Sequence, residues 1–290
     1  MGRDDIGYLQ SDAMLVYSPT GTRKDEKLKP NRDILNALSE LIPNESQRVS
    51  AAHMLQGFLG TSSDIVQGRD VAADVDLDRA SRCGFPEVVY GEGKSAALIV
   101  EILRRQHLAG QPGFVTRLDT EQAALICAEF PDAIHNPAAG TIASAGYPLP
   151  SEVAGSVAVV SAGSCDAPVA QEALETLRWM GIECQFIEDV GVAGPHRLLR
   201  HVPVLQAMSA IVVVAGMEAA LPSVVGGHGS CPIVGVPTSV GYGASLGGIT
   251  ALLSMLSSCA SNVVTVNIDA GFRGGYAAGL IARQVVEQKE

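Results

Sequence analysis

Apolar positions along this chain recur first at helical spacing and later in short continuous runs, and the change of pattern divides it. Ile34 to Ile42 and Ser46 to Leu59 carry apolar residues at helical spacing on either side of Pro43-Asn44, which predicts a helical hairpin. From Gly84 the period alternates. Glu87 to Tyr90 and Gly113 to Thr116 read as strands, Lys94 to Leu108 and Thr120 to Phe130 as helices, and Ala133 to Ala143 as a further extended region. Gly146-Tyr-Pro-Leu-Pro-Ser151 is a stiff connector. Beyond it stand five apolar runs, Val157 to Ser161, Cys184 to Ile187, Ala210 to Ala215, Pro232 to Val236 and Val263 to Ile268, separated by helical stretches.

Such runs are strands covered on both faces, so the fold class is α/β: a C-terminal three-layer α/β/α domain with a parallel sheet, preceded by a smaller α/β domain and an N-terminal helical segment. The expected boundaries are 1–70 for a polar leader and the hairpin, 71–150 for the small domain and 151–290 for the three-layer domain. In a parallel sheet, ligands bind beyond the carboxyl ends of the strands. Five loops therefore matter: 162–168, 188–194, 216–220, 237–245 and 269–275.

Ala219 to Ile268 contains no Asp, Glu, Lys or Arg and carries eight glycines. A stretch so poor in charge is expected to be largely buried, with Gly-lined turns that let backbone approach a ligand. Glu218, at its start, follows a strand on the ligand edge; an ionised carboxylate in apolar surroundings is costly, which suits proton transfer. His228 and Cys259 are the other acid, base or nucleophile candidates. Ser257-Ser-Cys259-Ala-Ser261 follows an apolar helix, and on its residues alone Cys259 reads as a packed thiol.

Charge narrows the partners. A formal charge of −11, from 31 acidic and 20 basic residues, opposes a nucleic-acid surface. Six basic side chains stand between residues 155 and 290, and Arg273, in the Gly-rich loop after the last strand, is the best phosphate clamp among them. Ser164 and Asp166, in the Gly163-Ser-Cys-Asp turn before Pro168, fit either a phosphate cradle or an ordinary helix cap. Gly91-Glu-Gly-Lys-Ser95 lacks the first glycine of a P-loop, where Val88 stands, and no Gly-x-Gly-x-x-Gly follows a strand. The six cysteines form neither a CxxC pair nor a zinc spacing, as expected of reduced thiols. With no apolar leader at the N-terminus and no long apolar helix, a cytoplasmic protein without a membrane partner is expected.

From about Asp76 onward the chain resembles the LarB family of nickel-pincer cofactor biosynthesis proteins, whose C-terminal half belongs to the aminoimidazole ribonucleotide carboxylase (PurE-like) superfamily. The matching motifs are DLDRASRCGFPEVVYGEGKS (76–95), SAGSCDAPVAQEA (161–173), VAGMEAALPSVVGG (214–227), GVPTSVGYGASLGG (235–248) and LSSCASNVVTVNIDAGFRGGYAA (256–278). The resemblance implies carboxylation of the pyridinium ring of nicotinic acid adenine dinucleotide at C5 with CO2 or bicarbonate. Cleavage of the phosphoanhydride follows, giving pyridinium-3,5-biscarboxylic acid mononucleotide and AMP. It also implies attack on the ring by Cys259, with Glu218 in the same site, and a homo-oligomer, octameric in the superfamily. Ser164, Asp166, Gly216, Thr238, Ser239, Gly241 and Arg273 are the expected substrate-binding residues. Mg2+ is the expected cofactor, with Asp166, Asp189 and Asp269 as candidate ligands and no tightly bound organic cofactor. The alternatives are an aminoimidazole ribonucleotide carboxylase or a non-catalytic dinucleotide-binding protein. Purine-pathway members carry Ser-Ala-His-Arg after the second strand of the domain, where this chain has Asp189-Val-Gly-Val-Ala-Gly-Pro-His-Arg197.

Overall fold

Every residue of Val157–Ser161 and of Ala210–Ala215 is buried, the outcome that continuous Val, Ile and Ala runs require when both faces of a sheet are covered. The structure, a computed structural model, describes residues 44–49, 51, 74–148 and 155–287. The leader and most of the expected hairpin lie outside the described residues; 45–49 are helical. Ala73–Glu290 forms one compact unit, so the expected small and three-layer domains pack as a single body.

The first part of that unit holds α1 (Arg79–Cys83), β1 (Val88–Tyr90), α2 (Ala96–Leu108), β2 (Phe114–Thr116), α3 (Thr120–Glu129), β3 (Ile134–Asn136) and β4 (Thr141–Ala143). Its sheet runs β1-β2-β4-β3, with β1 and β2 parallel and the β3–β4 hairpin antiparallel to β2. The extended region expected at 133–143 is thus this hairpin. Helix α3 starts on a capping box between Asp119 and Gln122, and α2 on the Ser95 hydroxyl, which accepts from Leu98 N–H. Ile99, Leu103, Val115, Ile126 and Ile142 form this part's own core.

The second part holds β5 (Val157–Ser161), α4 (Ala167–Trp179), β6 (Cys184–Ile187), α5 (Pro195–Leu199), α6 (Val202–Gln206), β7 (Ala210–Ala215), α7 (Leu221–Gly226), β8 (Ile233–Pro237), α8 (Ile249–Leu256), β9 (Val263–Thr265) and α9 (Gly271–Glu287). All five strands are parallel in the order β6-β5-β7-β8-β9. Alternation sorts their side chains. Val157, Val159, Val212, Val214 and Val236 face α4 and α9, whereas Ala158, Val160, Ile211, Val213 and Ile233 face α5 to α8. This is the expected three-layer domain.

Helix α4 is a layer shared by both sheets. Trp179 stacks on Phe114 of β2, with ring centroids 5.3 Å apart, and donates its indole N–H to the Pro112 carbonyl at 3.1 Å. Two carboxylates on α4, Glu172 and Glu175, are buried as a result. Glu175 accepts from Asn136 Nδ2, Arg178 and the Tyr147 hydroxyl. Arg117 Nε lies 3.0 Å from Glu172 Oε1, and its Nη2 donates to the Asp269 carbonyl. Phe272 N–H completes the Glu172 shell at 3.1 Å. A side chain at Gly271 would put its Cβ 2.2 Å from the Val169 carbonyl oxygen, so only glycine lets α9 start this close to α4.

The charge-free segment, expected to be largely buried, divides into a buried part and an exposed one. β8 and Thr238 are buried, but Tyr242, Leu246, Ile249, Leu253, Leu256 and Val264 are exposed, Tyr242 to 82%. On α8 the exposed residues fall at i, i+4 and i+7, one apolar stripe facing out.

Arg117→Ala leaves a buried carboxylate without its cation and is expected to cost about 3 kcal/mol, the low end for a pair whose cation is partly exposed. Removing Arg104 from its exposed pair with Glu129 is expected to cost less than about 1 kcal/mol. Urea unfolding of the two variants checks the difference; equal losses would show that the Arg117–Glu172 contact does not fasten the small sheet.

Candidate active site

The carboxyl ends of β5, β6 and β7 open into a pocket of about 420 Å³. Buried Asp166 organises its floor: Oδ1 accepts the Thr238 hydroxyl at 2.7 Å, Oδ2 the Gly163 N–H at 2.9 Å, and the Gly216 N–H bonds to the same carboxylate. Three strand ends are thereby tied to one side chain. Burial pushes the Asp166 carboxyl above the usual range, against the opposing pull of those three donors. Gly216 is obligatory here, because a Cβ would meet the Val240 carbonyl oxygen at 2.4 Å.

Most of the wall is apolar, with Ala162, Val192, Ala215, Ala219, Leu221 and Val240 lining it. Polar groups are few and placed apart. Ser164, Cys165 and Glu218 are exposed on the rim, and Arg197 pairs with Asp189 at 2.7 Å. Asp189, Met217 and Ala219 all have left-handed backbone, at φ 55°, 55° and 49°, each at a cost of about 1 kcal/mol. Strain of this kind persists where loops are held by their surroundings.

Ser164, Asp166, Asp189, Gly216 and Glu218 thus meet in one pocket. Thr238, Ser239 and Gly241 do not line it, although Val240 between them does; Thr238 acts from behind, through Asp166. Arg273 and Asp269 line a second cavity, next to β9. Glu218, expected in apolar surroundings, is exposed at the mouth, so one chain alone does not desolvate it. Cys259 is exposed and lines neither cavity. It follows α8 and precedes β9, and Asn262, just beyond it, donates to the carbonyls of Gly226, Gly229 and Cys231 that lead into β8. The thiol therefore stands at the amino edge of the sheet, opposite Glu218. Cys165 and Arg197, the latter paired with the expected Asp189, are pocket residues outside the expected site set; their place at the loops after β5 and β6 was the available signal.

The residues present do not fit a protein-held magnesium ion. Asp166 is committed to Thr238 and two backbone donors, Asp189 to Arg197, and Asp269 Oδ1 to Ser239 N–H at 2.8 Å. Among the described residues no three His, Cys, Asp or Glu side chains converge. None of the described helices is long and apolar enough to cross a membrane.

Fold and pocket define a parallel-sheet α/β protein with a pocket at the carboxyl edge of its sheet. Residues 68–145 match the family described as LarB/PurE-like N-terminal domain, and residues 156–290 match AIR carboxylase. An uncharacterized protein of Methanocaldococcus jannaschii is 39% identical over 221 residues, covering 72% of this chain and 83% of that protein. A crystal structure of a PurE2 variant from Treponema denticola is 18% identical, covers 47% of this chain and 81% of that one, and has a TM-score of 0.37. The chain belongs to the LarB/PurE-like superfamily, and its AIR carboxylase domain supports a carboxylase of the PurE-like kind.

Thr238→Val removes one donor from buried Asp166 and is expected to cost about 1–3 kcal/mol at neutral pH. Because the folded-state pKa of Asp166 is raised, the wild type gains stability in acid and loses it as pH climbs through the raised value. Loss of the hydroxyl raises that value further, so the variant's deficit should grow from acid to neutral pH. Urea midpoints across that interval test it, and a pH-independent deficit would contradict the assignment.

Proposed function

We propose that this protein carboxylates the pyridinium ring of nicotinic acid adenine dinucleotide at C5 and hydrolyses the phosphoanhydride, releasing pyridinium-3,5-biscarboxylic acid mononucleotide and AMP. The observation that carries the reading is the union of a LarB/PurE-like N-terminal domain with an AIR carboxylase domain whose carboxyl edge opens into an apolar, Gly-lined pocket. Such a wall suits a flat ring and carbon dioxide.

The chemistry balances without redox. A pyridinium ring is too electron-poor to attack CO2. Addition of the Cys259 thiolate at C4 gives a dihydropyridine whose C5 is an enamine carbon, and that carbon forms the bond to CO2. Glu218 then takes the C5 proton, and expulsion of the thiolate restores aromaticity. One water is consumed in splitting the phosphoanhydride. Arg197, already held by Asp189, is the cation in the lining of this pocket.

Glu218 and Cys259 stand at opposite sheet edges, so the reaction needs a second copy of the chain to bring its Cys259 to this pocket. The outward stripe on α8 and the exposed Tyr242, Leu246 and Val264 support self-association, because apolar faces of this extent are normally covered. A homo-oligomer, octameric by the resemblance, would also desolvate Glu218.

Incubation with the dinucleotide and labelled bicarbonate tests the reaction: AMP and a product heavier by one carboxylate support it, whereas turnover of aminoimidazole ribonucleotide alone would assign the purine reaction. Binding without turnover would leave a dinucleotide-binding protein. Cys259→Ala and Glu218→Gln are each expected to abolish or severely slow ring carboxylation, and Cys165→Ala to spare it. Co-refolding the Cys259→Ala and Glu218→Gln proteins should restore part of the rate, since some sites then receive both intact groups. Mixed assemblies that stay inactive would place the two groups in one chain's site or remove one of them from the reaction.

A further inference from the structure

A second cavity of about 420 Å³ opens where the small sheet meets the end of the parallel sheet. Tyr90, Thr116 and Arg117 close one side, and the turn from Asn267 to Arg273 closes the other. Asp269 Oδ1 accepts from Ser239 N–H, and the next residue, Val240, lines the first pocket. A hydrogen bond therefore ties the loop that lines one cavity to the turn that lines the other.

Its two arginines differ. Arg117 is consumed by Glu172 and the Asp269 carbonyl. Arg273 is exposed and has neither an ion pair nor a hydrogen bond among the described residues, in a chain of net charge −11. An unpaired guanidinium on a cavity wall is a ready partner for a phosphate. Tyr90 supplies an aromatic ring that is 52% exposed yet held in place, with its hydroxyl on Glu92 and Lys94 Nζ bonded to its carbonyl at 2.8 Å. Ile268, Ala270 and Phe272 add apolar wall beside the polar groups of Thr116, Glu172, Asn267 and Asp269, the two carboxylates already taken up by Arg117 and by Ser239 N–H. Backbone strain follows the same map: of the six non-glycine residues with left-handed φ among the described residues, Asp189, Met217 and Ala219 line the first pocket, and Arg117 and Asp269 line this one.

We propose that this cavity holds the adenosine monophosphate half of the dinucleotide, with the phosphate on Arg273 and the base against Tyr90, so that the small domain is part of the substrate site. The inference rests on the reaction proposed above for the nicotinate half. It gives Tyr90 and Thr116, on the small sheet, a role beyond packing and explains why Arg273 lies away from the ring pocket.

Calorimetric titration of the full-length protein with 5′-AMP, nicotinic acid mononucleotide and the dinucleotide tests it. Arg273→Ala and Tyr90→Ala, both exposed positions, are each expected to weaken AMP and dinucleotide binding about tenfold, the loss of one charge-assisted or stacking contact, and to leave the mononucleotide unchanged. Arg273→Lys should recover part of the loss for AMP. Unaltered AMP affinity in both alanine variants, or equal losses for AMP and mononucleotide, would overturn the assignment. AMP binding lost in the variants, in a protein whose unsubstituted form turns over no dinucleotide, would uphold the cavity and refute the reaction; turnover with AMP binding indifferent to both residues would do the reverse.

Discussion

Helix α4 has almost no face left for solvent, and that constraint organises the molecule. One side packs on the parallel sheet and α9, another receives Phe114 of the small sheet against Trp179. Glu172 and Glu175 are consequently buried, and a buried carboxylate is tolerated only when its oxygens are filled. The small domain supplies the donors: Arg117 for Glu172, Asn136 and Tyr147 for Glu175. Glu172 also accepts from the first turn of α9. The polar seam between the sheets thus fixes where α9 begins and, through Asp269, where the last carboxyl-edge loop lies.

That edge gathers loops from both halves of the unit into adjoining cavities. Asp166 joins β5, β7 and β8 behind the first, while Asp269 joins the loop after β8 to the turn before α9 beside the second. A dinucleotide has two unlike halves, and two neighbouring cavities of unlike lining match that division. The thiol on the far edge makes association a requirement of the proposed chemistry, and the apolar stripe of α8 offers a surface for it.

Sequence pattern revealed the architecture well because its signals are local. Val157 to Ser161 and Ala210 to Ala215 could be read as doubly covered strands from composition, and chain connectivity then put their loops on one edge. Ser164, Asp166, Gly216 and Glu218 came together for that reason. What stayed hidden was non-local. Nothing near Arg117 indicates a partner 55 residues away on helix α4, and Glu172 has the spacing of an ordinary helix-surface acid. The charge-free segment was legible as apolar but not as exposed, because composition cannot distinguish a core from a face reserved for another molecule. Cys259 carried a motif and no address: its position at the amino edge follows from the direction of α8, which only the fold supplies.

A crystal structure of the assembled protein with nicotinic acid adenine dinucleotide bound is the most direct test of the whole account. It should place the nicotinate ring in the pocket bearing Glu218, with the Cys259 sulfur of another copy within bonding reach of ring C4. A ring seated elsewhere, or a pocket that no copy's Cys259 approaches, would contradict it.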